Sequence, residues 1–220
     1  MASYININGN NIPIRASDPS NPIIGEVWYN STTNALKGQA VTTSGAWSSG
    51  GAVNAAGTTA SAGTQTANVI FAGQRPGNTS NVEEYNGSSW SEVNNYPISV
   101  GNLSGTGTQT AALGFGGYPN VTTTNEYDGT TWTAGGALGT GRELLSGIGV
   151  QTAALGAGGL IRGSPEVNTT AVEQYNGTAW TGAPSMNTGL YGRTGNGTTS
   201  AGLASGGQTG STSNAVEEYD

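Results

Sequence analysis

Cysteine and histidine are absent from this chain, and basic residues are scarce: Lys37 and five arginines among 220 residues. Without thiols there are no disulfides, no thiolate metal sites and no cysteine nucleophile. Without imidazole there is no Ser-His-Asp triad, no usual zinc or copper site and no histidine acid or base. Thirteen acids against six bases leave a net charge of −7, and the scattered arginines make no electrostatic footprint for DNA or RNA. Long apolar runs are missing too, and nothing approaches the ~18 residues that a membrane span needs. Met1 to Asn10 has neither a basic start nor an apolar core, so no signal peptide is expected there. Missing cysteines fit synthesis in a cytoplasm.

What the chain has instead is glycine, 38 residues of it, and aromatics at fixed intervals. Four segments align without gaps: GTQTANVIFAG (63–73), GTQTAALGFGG (107–117), GVQTAALGAGG (149–159) and GTTSAGLASGG (197–207). Their starts lie 44, 42 and 48 residues apart. A second signature follows each: VEEYNGSSW to Trp90, TNEYDGTTW to Trp132, VEQYNGTAW to Trp180, and a fourth copy, VEEYD, that runs to Asp220. From Trp90, Trp132 and Trp180 to the next leading glycine is 17 residues each time. That register marks a structural repeat and argues against disorder.

Each repeat, roughly 45 residues long, reads as four short strands. The first follows the tryptophan, as in 99–104 or 142–148. The second is the TAALGFGG run, the third ends in Glu-Tyr and the fourth carries the tryptophan. Asn86-Gly87, Asp128-Gly129 and Asn176-Gly177 separate the last two, and such dipeptides suit a type I′ hairpin because both positions tolerate positive φ. Dense glycine and threonine with no 3.6-residue stripe argue against helix. A lone four-stranded sheet cannot bury both faces, whereas sheets stacked about an axis bury them and leave only short edges. The sequence therefore predicts an all-β chain built as a β-propeller. Ala111, Ala112, Gly114 and Gly116 would permit close approach near the axis. Tyr85, Tyr127, Tyr175 and Tyr219, with the tryptophans, would fill the wider wedges farther out.

The fourth repeat has no tryptophan strand, yet a tryptophan strand without a repeat occurs early, in TTSGAW ending at Trp47. The expected solution is a four-bladed ring of four-stranded sheets. Residues 41–50 close the blade that ends at Asp220, and the blades span about 51–93, 94–135, 136–183 and 184–220 within a domain of 41–220. A partial ring completed by another chain, and hence a homo-oligomer, is the alternative. Residues 1–40 fall outside the repeat. Tyr4-Ile5-Asn6-Ile7 alternates like a strand, 12–14 and 18–22 read as extended linker and turn, and 25–30 with 35–38 read as a hairpin around 31–34. This segment is too small for a core of its own and should dock on the ring or on a partner.

These signatures resemble the kelch repeat, the blade unit of galactose-oxidase-like propellers. Gly116-Gly117, Tyr127 and Trp132 make one full set, and Ala72-Gly73 replaces the glycine pair in the first blade. The phrasing GTQTAALGFGG…EYDGTTW is also similar to kelch-like repeats of bacteriophage virion and tail-fibre-type proteins, and GEVWYNSTTNALKG followed by GAW resembles a short β element of phage tail fibres. The resemblance implies a non-enzymatic virion structural protein, with residues 1–40 attaching the propeller to other virion or tail proteins and the propeller contacting a host-surface glycan. It implies localisation in the virion after synthesis in the host cytoplasm, with no cofactor, no metal, no nucleic-acid partner and no membrane insertion. A free lectin-like carbohydrate-binding propeller is the alternative function, and a glycoside hydrolase such as a sialidase is a more distant one.

The residues bear on these choices. The galactose-oxidase copper site needs histidines and a cysteine-modified tyrosine, and the chain has neither residue. A sialidase needs an arginine cluster, but Arg75, Arg142, Arg162 and Arg193 occupy unequal positions in their repeats. Asp128-Gly129-Thr130-Thr131-Trp132 lacks the residue that separates aspartate from glycine in an Asp box. Glu83-Glu84, Glu126, Glu173 and Glu217-Glu218 recur before the tyrosines. Paired acids or calcium ligands are one reading, but symmetric spread round a ring favours structural acceptors or solvated groups. No helix follows the glycine runs to make a phosphate loop. Variation concentrates in the loops between second and third strands, 74–80, 118–123, 160–170 and 208–213, and in the connections between blades. The candidate binding residues on that face are Arg75, Tyr96, Tyr118, Arg162 and Glu166. A change such as Arg162→Ala is expected to leave folding unaltered.

Overall fold

Small and β-branched residues punctuated by glycine give strands alone here: among the described residues of this computed structural model, 12–21, 25–38 and 48–220, there is no helix. None is therefore long and apolar enough to cross a membrane. The chain divides into two units, Met1–Ser49 and Gly50–Asp220.

In the first unit β1 (Ile14–Arg15) pairs parallel with β2 (Val27–Asn30), which forms the expected hairpin with β3 (Ala35–Gly38). Its anchor is Asp18, which accepts from Lys37 Nζ at 2.6 Å, Asn30 Nδ2 at 2.7 Å and Trp28 Nε1 at 3.0 Å. The Lys37 ammonium, then the two neutral donors, hold this carboxyl down at about 2. The strand expected at Tyr4–Ile7 and the Trp47 strand of 41–47 lie outside the described residues.

The second unit is a series of antiparallel sheets, each in chain order. The first comprises β4 (Thr58–Gly63), β5 (Asn68–Arg75), β6 (Gly77–Tyr85) and β7 (Trp90–Glu92). The second comprises β8 (Ser104–Thr108), β9 (Ala111–Phe115), β10 (Thr124–Tyr127) and β11 (Trp132–Ala134). The third begins with β12 (Ser146–Val150) and β13 (Ala153–Ala157). A ribbon of β14 (Leu160–Ile161) and β15 (Val167–Asn168) interrupts it before β16 (Val172–Tyr175) and β17 (Trp180–Ala183). The fourth has three strands, β18 (Thr194–Thr198), β19 (Ala201–Ser205) and β20 (Val216–Tyr219).

Two local expectations need correction. The first strand of a repeat starts later than 99 or 142, because the glycine-alternating stretch itself pairs along its length, from Ser104↔Phe115 to Thr108↔Ala111. The residues before it face another sheet instead, with Gly73 N donating to Val100 O at 2.7 Å. The hairpins ahead of the tryptophans are not type I′. Gly87, Gly129 and Gly177 have positive φ, but Asn86, Asp128 and Asn176 do not. Each of those side chains instead accepts two amides of its own turn, at 3.0 and 3.0 Å for Asn86, 2.8 and 2.7 Å for Asp128, and 3.0 and 2.9 Å for Asn176.

The first strands of successive sheets stack side by side, β4 on β8, β8 on β12 and β12 on β18. Glycine makes that possible, though in the first strand rather than only the second. A Cβ on Gly147 would meet Gly105 O at 2.8 Å, and one on Gly195 would meet Gly147 O at 2.6 Å. Trp132 and Trp180 each sit on the sheet before their own. Trp132 lies 4.9 Å from Phe71, 4.8 Å from Tyr96 and 4.7 Å from Tyr127 between ring centroids. Trp180 lies 4.8 Å from Phe115 and 5.0 Å from Tyr175. Polar ladders repeat the same step. Tyr127 Oη donates to Glu84 at 2.9 Å and Tyr175 Oη to Glu126 at 2.6 Å. Gln109 Nε2 bridges Asn68 O and Tyr85 O at 3.1 and 2.9 Å, and Gln151 Nε2 bridges Ala112 O and Tyr127 O at 3.0 and 2.7 Å.

Candidate functional site

The recurring acids hold the backbone in place. Glu83 Oε2 accepts from Asn54 N at 2.7 Å, Glu173 Oε2 from Gly139 N at 2.7 Å and Glu217 Oε2 from Asn187 N at 2.6 Å. Burial opposes ionisation of Glu217, but the amides of Asn187 and Thr188 and the Arg193 charge outweigh it and lower its pKa. Arg142 and Arg193, both buried, bind Glu173 at 3.0 Å and Glu217 at 3.1 Å. Desolvation lowers the Arg142 pKa, against the pull of Glu173. These two arginines are thus committed to carboxylates of different sheets. Among the described residues no group of three or more Asp and Glu is arranged to hold a metal ion.

Two of the varied loops, 118–123 and 160–170, meet between the second and third sheets. Arg162 follows β14 and reaches two carboxylates, Nε to Glu143 and Nη1 to Glu166. Its guanidinium carbon also lies 5.7 Å from the centre of the Tyr118 ring, within cation–π range. Asn120 locks the loop from behind, donating to Arg162 O and accepting from Arg162 N, each at 2.7 Å. Glu143 is completely buried, and its other oxygen accepts from Asn102 Nδ2 at 2.8 Å. Its backbone pairs with Leu160, N to O at 3.0 Å and O from N at 2.8 Å. The two carboxylates, Glu166 before Glu143, raise the Arg162 pKa, so the guanidinium stays charged.

Three predicted residues, Tyr118, Arg162 and Glu166, therefore form one cluster. Arg75 ends β5, and the loop expected at 74–80 is largely strand, paired through Gly73↔Thr79, Gln74↔Asn78 and Arg75↔Gly77. Tyr96 requires a correction. It is 2% exposed, stacked on Phe71 at 5.7 Å, and donates to Gly114 O at 3.1 Å. The connection after Trp90 turns inward, so its aromatic residue packs in the core instead of on a loop face. Arg162 pairs with the buried Glu143 carboxylate, so the structure gives a reason for Arg162→Ala to lower stability, against the silent effect the sequence suggests. Glu143, Asn102 and Asn120 were not anticipated. Arg142-Glu143 was the available signal: a charged pair at positions held by Val100-Gly101 and Leu190-Tyr191 in the neighbouring repeats.

The cluster exposes an aromatic ring, 42% accessible at Tyr118, beside a carboxylate and a guanidinium that is anchored to the buried Glu143. That combination can stack on an apolar ring face and hydrogen-bond its rim. Compared with protein-family models and with curated proteins, the chain matches none.

Proposed function

We propose that this chain is a non-enzymatic structural protein of a bacteriophage virion or tail, a four-bladed kelch-like propeller displayed on a larger particle for host-surface adhesion. In this reading residues 41–50 complete the last blade, residues 1–40 bind other virion proteins, and the loop face touches a host-surface glycan. The resemblance of the repeats to phage kelch-like sequences supports the setting. The observation that carries the adhesive role is the Tyr118–Arg162–Glu166 cluster, an exposed ring and two opposite charges fixed by buried Glu143 on two adjacent sheets. Many copies on one particle would turn weak single contacts into strong attachment.

Mass spectrometry of purified particles tests the setting: peptides of this chain should be present, and their absence refutes it. A glycan array tests adhesion. Tyr118→Ala should abolish binding without altering the melting temperature, and unchanged binding refutes the assignment of the patch. The exposed Tyr118 ring favours one second reading, a free carbohydrate-binding propeller. Glycan binding by a chain that never enters particles would select it.

A further inference from the structure

Among the described side chains every basic group is already set against a carboxylate. Arg15 meets Glu26 at 2.7 Å, Lys37 meets Asp18 at 2.6 Å, Arg142 meets Glu173 at 3.0 Å and Arg193 meets Glu217 at 3.1 Å. Arg162 carries two carboxylates, Glu143 and Glu166. The cluster beside Tyr118 therefore holds more negative than positive charge, in a chain whose net charge is −7. A field of that sign repels an acidic ligand on approach. At the site itself the completely buried Glu143 keeps its hold on the guanidinium.

The same groups suit hydroxyls. The Glu166 side chain is 49% exposed; its Oε1 accepts from Arg162 Nη1, and its Oε2 accepts from none of the described residues. Arg162 engages Nε and Nη1, and its Nη2 donates to none of the described residues. A carboxylate that only accepts and a guanidinium that only donates thus lie side by side, each with capacity left. A hydroxyl can do both, so two neighbouring hydroxyls on one ring match the pair, one donating to Glu166 and the other accepting from Arg162. A ligand carboxylate has no proton to give Glu166. Tyr118, 42% exposed and 5.7 Å from the guanidinium carbon, supplies the flat apolar surface that the C–H face of a pyranose covers. Asn120 grips both N–H and C=O of Arg162 at 2.7 Å, so the loop is set before a ligand arrives and binding need not order it.

We propose that the patch of Tyr118, Arg162 and Glu166 selects an uncharged hexopyranose and turns away acidic sugars. The sugar lays its C–H face on the Tyr118 ring and sets two neighbouring ring hydroxyls on the Glu166 carboxylate and the Arg162 guanidinium. This rests on the adhesive reading of the same patch and adds to it the class of sugar.

Serum-albumin conjugates of glucose, galactose and mannose, and of their uronic acids and sialic acid, are the probes, applied to the full chain at low and high salt. At least one neutral conjugate should bind, and its uronic counterpart should bind about tenfold or more weakly, as juxtaposed like charges require. Affinity for the neutral conjugate should change less than about twofold with salt, because no ligand charge is there to screen. Glu166→Gln alters an exposed ion pair and should leave the melting temperature as it is. It should weaken neutral binding about tenfold, since a charge-assisted hydrogen bond becomes a neutral one, and bring the uronic conjugate closer to its neutral counterpart. An acidic conjugate bound as tightly as its neutral counterpart overturns the proposal. So does wild-type selectivity in Glu166→Gln, or binding to none of the neutral conjugates. The adhesive reading is measured separately: it survives each of those results while the glycan array shows binding that Tyr118→Ala removes, and it falls when the array is blank or indifferent to Tyr118.

Discussion

The indole N–H groups of Trp180 and Trp132 differ in one respect that a single methyl group controls. Trp180 Nε1 donates to Thr124 Oγ1 at 2.8 Å, whereas Trp132 Nε1 is buried without a partner. The residue of the first sheet that corresponds to Thr124 is Val82, 1% exposed. Val82→Thr replaces a methyl by a hydroxyl of similar size. Burying a hydroxyl that finds no partner costs about 1–3 kcal/mol. Giving a partner to a donor already buried and unpaired recovers about 1–3 kcal/mol. The two terms offset, so Val82→Thr should range from neutral to about 1 kcal/mol more stable. Val69, fully buried in the same core cluster, is the control, and Val69→Thr should cost about 1–3 kcal/mol. The reverse change, Thr124→Val, leaves the Trp180 donor unpaired and should also cost about 1–3 kcal/mol. Urea unfolding followed by tryptophan fluorescence measures all three, with the slope m unchanged as the check that only stability moved. The reasoning is refuted if Val82→Thr costs as much as Val69→Thr, or if Thr124→Val costs nothing.

Other perturbations test the remaining packing and charges. Trp132→Ala removes a ring held among Phe71, Tyr96 and Tyr127 and should cost about 3–5 kcal/mol, read as a lowered urea midpoint. Arg162→Ala should lower the melting temperature at neutral pH because it strands buried Glu143, and adding Glu143→Gln should restore much of it; a silent Arg162→Ala would contradict the buried pair. Burial, and then the Glu126 carboxylate that accepts its proton, push Tyr175 up to about 12 from an ordinary 10.0. A raised phenol favours the neutral form in the fold, so this contribution is complete below pH 10.0 and is lost as pH rises through about 12. Ultraviolet titration of Glu126→Gln should show one tyrosine ionising earlier than in wild type.

The repeat spacing carried the strand pattern because the tyrosine that ends one strand and the tryptophan that opens the next keep a fixed interval across their turn. Tyr127↔Trp132 and Tyr175↔Trp180 follow directly from the Tyr-x-Gly-x-x-Trp interval. What the spacing could not carry was how alternatives compete locally. The Asn-Gly and Asp-Gly steps suit type I′ turns, but side-chain acceptance of two amides stabilises a different turn at the same residues. Likewise 99–104 reads as a strand by composition, yet glycine at 105 makes the following segment the one that fits against its neighbour. The loop cluster was half legible. Tyr118, Arg162 and Glu166 stand out as large polar or aromatic residues in loops of small ones. Glu143 and Asn102 precede strands; Glu143 reaches Arg162 through its pairing with Leu160, and Asn102 reaches Glu143 from the neighbouring repeat, neither of which the spacing shows.

A crystal structure of the full chain tests the repeat architecture most directly, at the edge of β20 that pairs with no other strand among the described residues. The four-bladed proposal predicts a fourth strand along that edge, supplied by residues 41–50. A solvated β20 edge, or Trp47 packed elsewhere, would contradict the idea that each sheet is completed by a tryptophan strand seated on the sheet before it.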